Sequence, residues 1–307
     1  MKGLELSEKY YEAARPELAE KFPEVFPRLA AGLAGEGSEC FGYDDEISRD
    51  HDFGPSFCIW LSDEDFDKYG RELAGWYASL PGAFLGFPAR RAEKHGAGRV
   101  GVMRTSDFFR KFTGAAEPPE SLRHWLRIPE HLLANAVNGK VFEDKSGEFT
   151  RIRNGFLKFY PDDIRIKKMA NRALTMAQAG QYNYPRALKR GDNAAAFFAL
   201  SDYIKAAISL AHLIARKYTP YYKWMYRSFQ DIPGMEEYST AMAEMVKYPA
   251  DLENVRRIEE FCSYVIRYLT MTGMSDVRSS FLEPHAWALL DNIRSEELRR
   301  MSIFDAD

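Results

Sequence analysis

The chain has 307 residues, with 42 Lys plus Arg against 45 Asp plus Glu, a formal charge of −3. That balance excludes a protein built to coat DNA or RNA, which carries a basic excess, and leaves room for a small anionic ligand met by a local cluster. Apolar and charged fractions of 46% and 28% exclude disorder as the dominant state, and the length predicts about two domains.

Residues 4–14 read as a helix, and Pro16 suits the first turn of a second one. The run Leu29-Ala30-Ala31-Gly32-Leu33-Ala34-Gly35 reads as a buried strand, and Phe57-Cys58-Ile59-Trp60-Leu61 as another. Ser62 with Asp65 is an N-cap pattern that predicts a helix to about Leu80. Residues 99–103 form a third strand candidate, and Thr105 caps a short helix over 107–112. Lys140-Val141-Phe142 is a short strand ending at the turn Asp144-Lys145-Ser146-Gly147. Beyond Pro161 the pattern is helical almost throughout, predicting helices over 163–179, 193–217, 221–229, 235–246, 252–271 and 284–299. The expected organisation is therefore an α/β domain with a small mixed sheet over residues 1–155, followed by an all-α helical bundle domain over 156–307.

Three dispersed cysteines, Cys40, Cys58 and Cys262, make neither a disulfide framework nor a zinc site, and point to a reducing cytoplasm. The first residues are polar, without a secretory apolar core. The longest apolar run, 206–215, is broken by Ser209 and His212 and is too short to span a bilayer, so no membrane partner is expected.

The segment from Gly35 to Gly54 carries the chemistry. A strand ends in Gly37-Ser38, where small residues let backbone N–H groups and a hydroxyl approach an anion. About a dozen residues later comes Asp50-His51-Asp52. On a strand Asp50 and Asp52 share a face, while His51 and Arg49 point to the other; two carboxylates one pleat apart suit hard divalent cations. Local composition also fits a plain solvated strand entry. Asp44, Asp45 and Glu46 read as a solvated acidic loop, and His124 and His131 as structural, with no zinc expected. No Walker-type loop and no Gly-x-Ser-x-Gly turn is present.

Gly-Ser followed by Asp-x-Asp resembles the signature of the polymerase-beta-like nucleotidyltransferase superfamily. The longer string from Gly35 to Pro55 is similar to a bacterial family catalogued as a domain of unknown function, as are Gly180-Gln181-Tyr182-Asn183-Tyr184 and Tyr221-Tyr222-Lys223-Trp224. The arrangement resembles kanamycin nucleotidyltransferase, a catalytic α/β domain with a helical bundle that closes the cleft. The resemblance implies that Gly37 and Ser38 bind the triphosphate and that Asp50 and Asp52 are catalytic ligands of two Mg²⁺ ions. It implies transfer of an NMP group from an NTP to a hydroxyl on a small molecule or protein, with pyrophosphate leaving.

Lys223, set among Tyr218, Tyr221, Tyr222, Trp224 and Tyr226, either snorkels from a packed helix or reaches the β- or γ-phosphate. Arg186, Lys189, Arg190 and Asp192 suit phosphate, acceptor or a solvated helix cap; Gln178, Gln181 and Asn183 suit base or sugar recognition. One departure stands out. The superfamily places a third carboxylate on a following strand, whereas the 99–103 strand holds Gly101 and no acid. The alternative reading is thus a nucleotide-binding or regulatory protein of the same fold with a degraded catalytic centre.

Overall fold

The structure is a computed structural model that describes residues 1–49, 53–90 and 98–306. Its contacts divide the chain into two compact units, Met1–Pro119 with Leu132–Lys158, and Glu120–His131 with Phe159–Asp307. The chain passes between the units at 119/120, 131/132 and 158/159, so the short stretch 120–131 belongs to the second unit.

The first unit is α/β. It opens on helix α1 (Gly3–Lys21), which runs straight through Pro16 instead of restarting there. An interior proline costs a helix about 3 kcal/mol. The burial of Leu6, Tyr10, Ala14 and Leu18, one above another on a single face, offsets that cost. Strand β1 (Ala30–Leu33) leads into the four-residue helix α2 (Ser38–Phe41), then β2 (Cys58–Leu61) and helix α3 (Asp63–Ser79). The Ser62 hydroxyl caps α3 by accepting from the Asp65 N–H at 3.1 Å, as the sequence predicts. Strand β3 (Gly101–Arg104) and helix α4 (Thr105–Thr113) follow. Helix α5 (Leu122–Arg127) and the first two residues of α6 (Glu130–Val137) belong to the second unit; the rest of α6, strand β4 (Lys140–Asp144) and helix α7 (Glu148–Leu157) complete the first.

The sheet is mixed, in the order β3-β2-β1-β4, with β1 antiparallel to β2 and β4, and β2 parallel to β3. Both faces are covered, so β2 reads as a continuous apolar run. Phe57, Ile59 and Leu61 enter one core with Tyr10, Leu18 and Trp76. On the opposite face Trp60 stacks on Phe149 of α7 at 3.9 Å and meets Phe108 of α4 edge-on.

The second unit is helical. Helix α8 (Asp162–Met176) continues into a seven-residue π-helical segment (Ala177–Asn183) and then α9 (Tyr184–Lys189). Next come α10 (Asn193–Ile214), α11 (Tyr222–Gln230), α12 (Glu236–Lys247), α13 (Glu253–Met271), α14 (Leu282–Asp291) and α15 (Glu296–Arg300). The single helix expected over 284–299 is broken between α14 and α15. The Asp163 carboxylate holds the break open, accepting from the N–H groups of Arg294 and Ser295 at 3.1 and 2.8 Å. Helix α10 is long and apolar enough to cross a membrane by composition, but half of that window is buried inside the unit. It serves as a central helix against α8.

Helix α8 has no fully solvated face. Arg165, Lys167 and Lys168 are all buried, and each donates to a carbonyl at the end of another element: Leu213 at 2.8 Å, Leu298 at 3.0 Å and Ala306 at 3.3 Å. Cations at helix C-termini satisfy orphan carbonyls and oppose the negative dipole end, which makes their burial tolerable.

Candidate functional site

In the α/β unit, β1 ends four residues before Gly37, which has φ +123° and precedes the first turn of α2. A side chain at Gly37 is disfavoured twice. The backbone angle suits glycine, and a Cβ would lie 2.6 Å from the Glu39 carboxylate, which folds back over the turn. Glu39 is buried. Burial raises its carboxyl above the ordinary value, opposed by Arg90, whose guanidinium donates to Glu39 at 3.3 Å and to Ser56 at 3.0 Å. Glu36, on the other side of the turn, accepts from Lys111 at 2.6 Å and lies 3.6 Å from Arg99. Between Gly35 and α4 is a hollow of about 140 Å³ whose charged edges are Glu36, Arg99, Asp107 and Lys111. The sequence motif thus comes with three cations, Arg90, Arg99 and Lys111, that its linear reading did not supply.

Asp50, His51 and Asp52 lie outside the described residues. Strand β3 forms where the third strand was expected and carries no carboxylate. Among the described residues no group of three or more His, Cys, Asp and Glu is placed to hold a metal ion. The acidic run before the pair is not uniformly solvated. Asp44 is 1% exposed and accepts from the Gly3 N–H at 2.9 Å, so it anchors the start of α1. Arg49 tethers its segment, donating to the Met1 carbonyl at 3.3 Å and lying over the Phe53 ring.

In the helical unit, Lys223 is exposed on α11 with its ammonium 5.1 Å from the centre of the Trp224 ring. Gln178 and Gln181 are occupied structurally. Gln178 donates to Glu283 at 2.6 Å; Gln181 donates to Glu259 at 2.7 Å and accepts from the Leu282 N–H at 2.8 Å. These bonds fasten the π-helical segment to α13 and α14. Asp192 caps α10, accepting from the Ala195 N–H at 3.0 Å, and Arg186 lies over the Tyr182 ring.

The helical unit holds a cleft of about 570 Å³ that the sequence did not announce. One wall is a stripe of α8, Lys168, Arg172 and Thr175, at successive turns of one face; the facing wall is Asp202, Lys205 and Ser209 of α10. Glu130 is buried at the floor. It accepts from Ser209 Oγ at 3.1 Å and from Arg172 Nη2 at 3.3 Å. Burial works to raise its carboxyl, but Arg172, Lys168 and the Thr219 and Ser209 hydroxyls outweigh burial and hold it below the ordinary value. Tyr221 and Tyr222 flank the opening with ring centres 4.4 Å apart, and His131 lies against Tyr221. From α11 the lining takes Tyr222 and Met225, not Lys223.

The fold is thus a small mixed α/β sheet unit followed by a helical unit. Residues 125–225 match the model of a domain of unknown function, DUF4037. No curated protein and no solved structure matches the chain. The matched span contains every residue lining the cleft and Lys223, and lies beyond the Gly37-Ser38 turn.

The cleft residues escaped the linear reading because their partners are remote: Glu130 meets Arg172 across 42 positions and Ser209 across 79. One signal was available. The segment Ile164-Arg165-Ile166-Lys167-Lys168-Met169-Ala170-Asn171-Arg172 places charge and apolar residues at every angle of a helix, leaving no solvated face to take the charges.

Proposed function

We propose that the α/β unit is a nucleotidyltransferase that moves an NMP group from an NTP to a hydroxyl acceptor. The observation that carries this reading is the local chain order: β1, a Gly37-Ser38 turn opening a helix, and β2 returning antiparallel beside β1 shortly after Asp50-x-Asp52. In this reading the turn's backbone N–H groups and the Ser38 hydroxyl bind phosphate oxygens. Lys111 and Arg99 stand beside the turn and are available to exchange Glu36 for a more highly charged phosphate. Asp50 and Asp52 would hold Mg²⁺, whose contribution is neutralisation of triphosphate charge and orientation of the acceptor hydroxyl.

A second reading, a nucleotide binder without transfer, is favoured by the carboxylate-free β3. One pair of measurements separates them. Pyrophosphate release is followed with Mg²⁺, NTP and a panel of hydroxyl acceptors, and NTP binding is measured by calorimetry with and without Mg²⁺. The transferase releases pyrophosphate and loses that activity in Asp50→Asn. NTP binding that ignores both Mg²⁺ and Asp50→Asn, with no release, selects the binder.

A further inference from the structure

We infer that the cleft of the helical unit is a binding site for a nucleoside phosphate, independent of the Gly37-Ser38 turn. Its volume, about 570 Å³, lies in the range of small-molecule pockets. Its construction is costly for a helical bundle. Between α8, α10 and the start of α6, the buried Lys168, Ser209 and Glu130 and the largely buried Arg172 replace the apolar side chains that would make a more stable interior. Such a network holds charge in fixed positions, and here it opens onto a cavity.

The chemistry of the walls specifies the ligand. Lys168, Arg172 and Lys205 face Glu130 and Asp202, so the lining carries one more positive charge than negative. Lys205 sits at the rim with a 63% exposed side chain, and Asp202 is 3.8 Å away, a loose pairing that a compact anion can displace. The opposite side of the opening is aromatic. Tyr222 is 70% exposed and Tyr221 49%, and their tilted rings stand beside the cavity rather than in a core. Large exposed rings at a cavity mouth are platforms for a planar ligand group. An anion at Lys205 and a planar ring at Tyr222 are the two halves of a nucleoside phosphate.

The test is calorimetry on the intact protein with three probes: AMP, adenosine and inorganic phosphate. AMP is expected to bind more tightly than either half. Lys205→Glu should weaken AMP and phosphate about tenfold or more and leave adenosine unchanged. Tyr222→Ala should weaken AMP and adenosine about tenfold and leave phosphate unchanged. Both side chains are exposed, so the variants retain the fold. The inference is overturned if AMP does not bind, or if its affinity is the same in both variants as in the parent. AMP binding lost in Asp50→Asn but kept in both cleft variants would place the nucleotide in the α/β unit, overturning this site while leaving the proposed transferase intact. AMP binding sensitive to both cleft variants, without pyrophosphate release under any condition, would establish this site and remove the transferase.

Discussion

The Gly37-Ser38 turn and the helical cleft both gather charge, but they hold it differently. At the turn, Glu36 and Lys111 are partly exposed, with side-chain accessibilities of 35% and 42%, so solvent can replace their pairing. In the cleft, Glu130 and Arg172 are at 9% and 15%, and each hydrogen bond there substitutes for lost water. The Glu36 side of the turn is therefore replaceable chemistry, whereas Glu39 and Arg90 behind it are as buried as the cleft pair. The cleft's charges are structural as well as chemical, because removing one strands another in a low-dielectric interior.

The largest expected effect tests that contrast directly. Glu130→Ala leaves Arg172 and Lys168 buried without their carboxylate and should cost about 3–5 kcal/mol, read as a lowered urea midpoint of the helical unit. A cost below about 1 kcal/mol would mean that water enters the cleft floor and that the two regions are alike. Gly180→Ala comes next. Its Cβ would stand 2.3 Å from a ring carbon of the buried Tyr203, and overpacking of this kind costs about 1–3 kcal/mol, measurable in the same urea titration.

Acid should separate the two units. His212 is fully buried, with Nδ1 2.8 Å from the Ile208 carbonyl, so that nitrogen bears the proton and Nε2 accepts from Ser228. Burial pushes its ionisation below 6.5, so the unfolded chain takes up the proton first and stability falls as pH drops through about 6.5. In the α/β unit, Arg15 donates twice to Glu143 and Tyr11 once; with Arg15 the main cause, the carboxyl is held at about 2 instead of 4.5. That contribution is complete above about pH 4.5 and lost as pH falls toward 2; with Arg15 partly exposed it amounts to about 1–2 kcal/mol. Amide exchange as a function of pH should show the α10–α11 region weakening first and the α1–β4 region holding to lower pH. The reverse order would refute the assignment of these groups. The smallest effect is Lys111→Ala at the turn, within about 0.5 kcal/mol by thermal denaturation, as for other half-exposed pairs.

Local features were the legible ones. The four strands lie close to where apolar runs were bounded by turn residues, and Ser62 caps α3 as its spacing with Asp65 implied. What the sequence concealed was decided by remote partners. Pro16 signals a break that the buried face of α1 overrides, and the Asp163 carboxylate interrupts a continuous helical pattern more than 130 residues away. Asp44 looks like its neighbours Asp45 and Glu46 and becomes a buried anchor only because the Gly3 N–H needs an acceptor. In the candidate sites, Gly37 and Ser38 were visible as a motif. Lys111, Glu130 and Lys205 carry no local mark; only the fold gives them a common address.

The π-helical segment between α8 and α9 sets a rule about length. Removing one residue from a helix turns everything beyond it by about 100° and draws it in by about 1.5 Å. Upstream, α8 aims Lys168 and Arg172 at the cleft; downstream, Tyr184 is fully buried with its phenol on the carbonyls of Pro249 and Asp251 at 2.9 and 3.0 Å. Both aims are met only with the seven wide-turn residues Ala177–Asn183 in place. A single deletion there would redirect the Tyr184 phenol by about a quarter turn while leaving composition and hydropathy almost unchanged. The segment works as a phase adjuster: substitutions on its exposed side are tolerable, but its residue count is not free to drift.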